Sequence, residues 1–139
     1  MFNQPSLRTI LLVDGIVSGA MGLMLLAGAG ILDSAFDLPT AFLRGVGVVL
    51  LPWFALLAVV ATRRVINRPA VKFVIAVNLA WVAASILLPF TGWIGPNALG
   101  IGFIIVQAMA VAVFALVQVA NQAETAPAAP AQRNRSFQV

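Results

Sequence analysis

Four long apolar runs dominate the chain, and polar side chains interrupt each of them at only a few positions. The runs lie at about 7–32, 41–62, 70–89 and 98–120. A hydrocarbon core about 30 Å thick needs around twenty apolar residues per helical crossing, and each run meets that length. They are continuous and lack the period-two alternation of barrel strands, so each predicts a membrane-spanning helix. Connections of roughly six to nine residues make consecutive helices antiparallel neighbours and leave no room for a soluble domain. The expected fold is all-α: a polytopic membrane protein whose residues 1–120 form one antiparallel four-transmembrane-helix bundle. Beyond it the pattern changes. "NQAETAPAAPAQRNRSFQV" loses hydrophobicity and gains Pro127 and Pro130, which predicts a flexible cytoplasmic tail over 121–139.

The first run, "TILLVDGIVSGAMGLMLLAGAGIL", holds a single carboxylate, Asp14. Arg8 before the run and "AGA" at 27–29 have the look of a signal peptide, but the run is too long and carries Asp14, so it reads as a span. Gly15, Ser18, Gly19 and Gly22 recur at helical spacing on one face, where small residues let a neighbouring backbone come close. Gly15, Gly19 and Gly22 are therefore expected to form a helix-packing seam within the chain, with contact between copies in a homo-oligomer as the rival. Asp14 stands four residues before Ser18 and borders that seam, so it should face protein.

Depth places its partners. At 1.5 Å per residue, Asp14 lies about 10 Å from the start of its span, and Asn78 about 12 Å from the start of the third, which enters from the same side. Asn78, Trp81 and Ser85 share one stripe of the third helix, and Gln107, Phe114 and Gln118 one stripe of the fourth. The stripes predict an intramembrane polar cluster of Asp14, Ser18, Asn78 and Gln107. Arg44 enters from the opposite side, only about 5 Å below the boundary, where it can pair with Asp33 or Asp37 or snorkel outward. Pro52 removes a backbone donor mid-helix and should kink the second span, a bend that either opens a cavity or improves packing, the latter being the reading taken here.

Composition agrees: 62% of the 139 residues are hydrophobic and 9% charged, with a mean hydropathy of +1.05. Arg8, Arg63, Arg64, Arg68, Lys72, Arg133 and Arg135 fall on one side of the predicted bundle, against Arg44 alone on the other. Short basic loops stay cytoplasmic, which predicts both termini inside and the acidic first loop outside. A sequence pI near 11.6 is then a topology signal, and no nucleic-acid partner is expected. The lipid bilayer is the expected partner, and "RRVINRP" is placed to touch anionic headgroups.

The chain has neither cysteine nor histidine. That removes disulfides, thiolate and imidazole metal sites, the commonest haem ligand and the commonest general base. "GAGIL" is too short and misplaced for a nucleotide fingerprint. No metal, cofactor or enzymatic activity is expected. Two function classes remain. In the first, a protonated Asp14 clamps helices by giving and accepting hydrogen bonds with Asn78 and Gln107, and the protein is an accessory, assembly or scaffold component, alone or in a larger membrane complex. In the second, Asp14 is a working site of a proton- or cation-coupled transporter or channel. The chain lacks the aromatic box of small multidrug exporters and the Thr/Ser and Phe signature of small fluoride channels.

With "LLVDGIVSGAMGL", "LRGVGVVLLP", "NLAWVAAS" and "ALGIGF" opening or crossing successive spans, the chain resembles the broad set of uncharacterised small bacterial four-helix integral membrane proteins. The resemblance implies the four-helix fold and a bacterial inner membrane. It implies no activity, cofactor or substrate.

Overall fold

The computed structural model describes residues 6–124. Among the described residues there are four α-helices, α1 (Leu7–Phe36), α2 (Thr40–Thr62), α3 (Arg68–Leu87) and α4 (Ala98–Glu124), with a 3-10 turn at Leu88–Phe90 after α3. All four are long and apolar enough to cross a membrane. Side chains such as Ile16, Leu23, Val48, Phe73, Met109 and Leu116 cover their outward faces. In lipid such faces are already solvated, so association of the helices rests on close packing and on hydrogen bonds between them.

Local chemistry sets the helix ends. Ser6 caps α1 by accepting from the Thr9 amide at 3.2 Å, and Asn67 caps α3 by accepting from the Ala70 amide at 3.1 Å. α1 runs past its expected end at Leu32 to Phe36, because no helix breaker intervenes before Asp37. There the backbone turns left-handed, at φ 52, with the Asp37 amide bonded to the Asp33 carbonyl. Thirty residues make α1 about 45 Å long, well beyond a hydrocarbon core. α4 likewise continues through Asn121, which is buried and donates to the Val117 carbonyl, as far as Glu124. The tail expected from 121 therefore starts as helix. Its remainder, 125–139, lies outside the described residues.

The helices form a square in chain order. α1 packs along α2, α3 along α4, and α4 returns against α1, but α2 and α3 barely touch. Trp53 and Phe73, with ring centroids 6.4 Å apart, mark their approach. The α1–α2 contact is the glycine seam. A Cβ on Gly15 would stand 3.2 Å from the Leu57 Cβ, one on Gly19 3.0 Å from the Phe54 ring, and one on Gly22 3.1 Å from the Gly47 carbonyl. Gly47 answers from α2, where a Cβ would stand 2.8 Å from the Gly22 carbonyl and 2.9 Å from Leu26. The seam is thus filled by the same chain.

Two apolar clusters close the bundle. Leu11, Leu57, Val60, Val71 and Val74 fill the lower end, where α2 connects to α3. Leu25, Leu38, Leu43 and Ile94 fill the upper end, where the other two connections lie. Gly47 and Gly45 offer a test within one helix, since nothing lies within 4 Å of a Cβ at Gly45. Gly47→Ala should destabilise the protein in detergent by about 1–3 kcal/mol, as overpacked sites do. Gly45→Ala should be neutral or stabilising by up to about 1 kcal/mol. Denaturant midpoints of the two variants measure the difference, and equal midpoints would remove the seam from the account of stability.

Candidate functional site

Asp14 lies at the lower third of the bundle, only 1% exposed, where α1, α3 and α4 converge. Its Oδ2 accepts from Asn78 Nδ2 on α3 and from Gln118 Nε2 on α4, both at 2.8 Å. Asn78 Nδ2 also reaches Gln118 Oε1 at 3.2 Å, so the three side chains close a ring. Ser18, one turn along α1, donates to Oδ1 over a longer 3.4 Å. Asp14 therefore accepts from three groups and donates to none. No cation is among them: Arg8 and Arg44 belong to opposite ends of the bundle. Among the described residues no cluster of three metal-ligating side chains forms.

The structure thus brings Asp14, Ser18 and Asn78 together and leaves Gln107 apart. Gln107 accepts from Trp81 Nε1 at 2.9 Å and donates to Ser85 Oγ at 2.9 Å and to the Ile104 carbonyl at 3.0 Å. It forms a second polar rung between α3 and α4, nearer the upper end. The replacement has a geometric reason. Gln107 and Gln118 share a helical face because the interval between them is close to three full turns, yet they differ in height by some 16 Å. Counting the rise along α4 from its start at Ala98 would have selected Gln118, the level partner. The stripe alone cannot choose.

Two spaces border these groups, both beside the open α2–α3 side. An upper cavity of about 420 Å³ takes its walls from all four helices, Ser18, Trp81, Ser85 and Gln107 among them. A cleft of about 360 Å³ separates α2 from α3, with Pro52, Trp53 and Leu56 facing Phe73, Val77 and Asn78. Pro52, expected to serve packing, sits on the wall of a gap. Ser18 lines both spaces and Asn78 the cleft, so each carries the Asp14 cluster to a space without exposing the carboxyl group itself.

Polar side chains at the helix ends cap neighbouring helices. Arg8 donates to the Ala61 carbonyl at 2.7 Å and the Arg63 carbonyl at 3.0 Å, satisfying the open end of α2. Asp33, a candidate partner for Arg44, instead accepts from the amide and hydroxyl of Thr40 at 3.1 and 2.6 Å and starts α2. Arg44 is exposed. Asn97 holds the Ala35 carbonyl at 2.8 Å and accepts from the Gly100 amide at 2.9 Å, tying the start of α4 to the end of α1. Gly100 lies so close to the Phe36 carbonyl that no Cβ fits there.

Compared with protein-family models, with curated proteins and with solved structures, the chain finds no match. Its site is therefore defined by its own geometry. A double-mutant cycle tests that geometry. Gln118→Leu should cost about 1–2 kcal/mol in detergent, near the upper range for interhelical hydrogen bonds. Its effect should be strongly non-additive with Asp14→Ala, which removes the acceptor. Gln107→Leu, with its side chain on the other rung, should add to Asp14→Ala within about 0.5 kcal/mol. Coupling of Asp14 to Gln107 in place of Gln118 would refute the cluster as described.

Proposed function

We propose that this multi-pass membrane protein is a non-enzymatic accessory, assembly or scaffold component, with Asp14, Ser18, Asn78 and Gln118 as its internal clamp. The closed ring at Asp14 carries this reading. A carboxyl group 1% exposed, held by side chains from two other helices, fixes those helices in height and rotation. A buried carboxyl group is costly at this depth, and satisfied donors are what make it tolerable. With the interior committed to holding shape, the long apolar outer faces remain as the surface for lipid and for neighbouring membrane proteins. Seven of the eight basic residues flank the lower end or lie in the tail, which supports a bacterial inner-membrane location with both termini cytoplasmic.

A second reading, proton- or cation-coupled transport through Asp14, is supported by one observation. Ser18 and Asn78 both bond to Asp14 and both line a space beside it. One experiment separates the two. Purified protein in liposomes is compared with Asp14→Asn, which keeps shape and hydrogen-bonding capacity but exchanges no proton. A clamp predicts a folded variant, destabilised by no more than about 1–2 kcal/mol, and no proton or cation flux above empty vesicles for either protein. A wild-type flux that vanishes in a folded Asp14→Asn variant would replace the first reading by the second.

The proposed threading has its own check. Val65 is 82% exposed in the α2–α3 connection, and Phe90 84% exposed after α3. In this cysteine-free chain, Val65→Cys should resist an impermeant thiol reagent applied outside intact cells, while Phe90→Cys should react. The reverse pattern would invert the topology.

A further inference from the structure

The upper cavity meets the clamp only at Ser18, and its walls specify what fits it. We propose that it is a binding site for a small neutral lipophile carrying one hydrogen-bond-accepting oxygen, such as an aliphatic alcohol or ketone, which enters from the bilayer between α2 and α3. Three observations carry this. None of the lining side chains is charged, and apart from Ser18, Trp81, Ser85 and Gln107 all are apolar. Water needs two to four polar partners to settle in a cavity, and away from that one group of polar side chains the walls of this space offer none. The space is therefore suited to hydrocarbon.

Size narrows the occupant. At roughly 30 Å³ per water-sized group, the volume holds about fourteen non-hydrogen atoms, far fewer than a two-chain phospholipid. The polar rung then sets the head. Trp81 Nε1 and both ends of the Gln107 carboxamide are committed to each other, to Ser85 and to the Ile104 carbonyl. Ser18 donates to Asp14. Ser85 Oγ accepts from Gln107, and among the described residues its own proton is given to no acceptor. It is the wall group ready to donate to an incoming oxygen. The route is the side of the square where α2 and α3 barely touch, at hydrocarbon depth. This inference does not depend on the role of Asp14.

A diazirine-bearing analogue of n-decanol, photolysed with the protein in lipid nanodiscs, tests the proposal. Saturable adducts should map to wall residues such as Ala84, Ala110 and Phe114, and unlabelled n-decanol should displace them about three- to tenfold better than n-decane. Ser85→Ala should keep saturable labelling but erase the preference for the alcohol. Ala110→Phe, which fills the space, should abolish labelling. Ala84→Phe repeats that test from α3, with folding of each variant checked by circular dichroism. Adducts confined to outward residues such as Met109 and Leu116, or labelling that does not saturate in the wild-type protein, would overturn the site. Equal displacement by n-decanol and n-decane would overturn the role of Ser85 and with it the proposed ligand class.

Discussion

A carboxyl group at hydrocarbon depth has to be satisfied by the protein, because no water stands ready to do it. Asp14 obtains its donors from α3 and α4. Each of those donors is an amide at the end of a side chain of limited reach, so the helices that carry them are held to one level and in rotation to one face. The rest of the bundle is arranged around that requirement. α2 contributes no polar group to the cluster and is held by another means, the removal of side chains along Gly15, Gly19, Gly22 and Gly47. Since α1 holds α2 and the cluster holds α3 and α4, nothing demands close contact between α2 and α3. The gap on that side follows from how the other three sides are joined.

The two ends are tied by backbone chemistry. Arg8 occupies carbonyls left open at the end of α2, Asp33 the amide at its start, and Asn97 both the end of α1 and the start of α4. In each case a polar side chain serves the terminus of a different helix. Such ties combine hydrogen bonds with favourable placement of charge at helix ends, a cation at a C-terminus and an anion at an N-terminus. Among the charged residues Arg8 and Asp33 serve such ties.

Much of this was legible in the residues. Continuous hydrophobic runs marked the four helices, since nothing else buries such lengths. The small-residue seam and the level pairing of Asp14 with Asn78 followed from helical spacing and rise. Gln107 was misplaced because a face repeats every few turns while a depth does not, and only the second quantity distinguishes it from Gln118. The capping roles of Arg8, Asp33 and Asn97 left no local trace, because each depends on which foreign helix end comes within reach. The boundary at Phe36 was missed for a related reason. A helix continues until backbone geometry or a breaker stops it, whereas hydropathy falls wherever the membrane ends.

The Asp14 ring also joins parts of the chain that lie far apart in sequence. Asn78 lies 64 residues and Gln118 104 residues beyond the acid they satisfy. A hairpin of α1 and α2 alone holds the acid with only Ser18 beside it, and the two amide donors are both in place only when α3 and α4 are packed against α1.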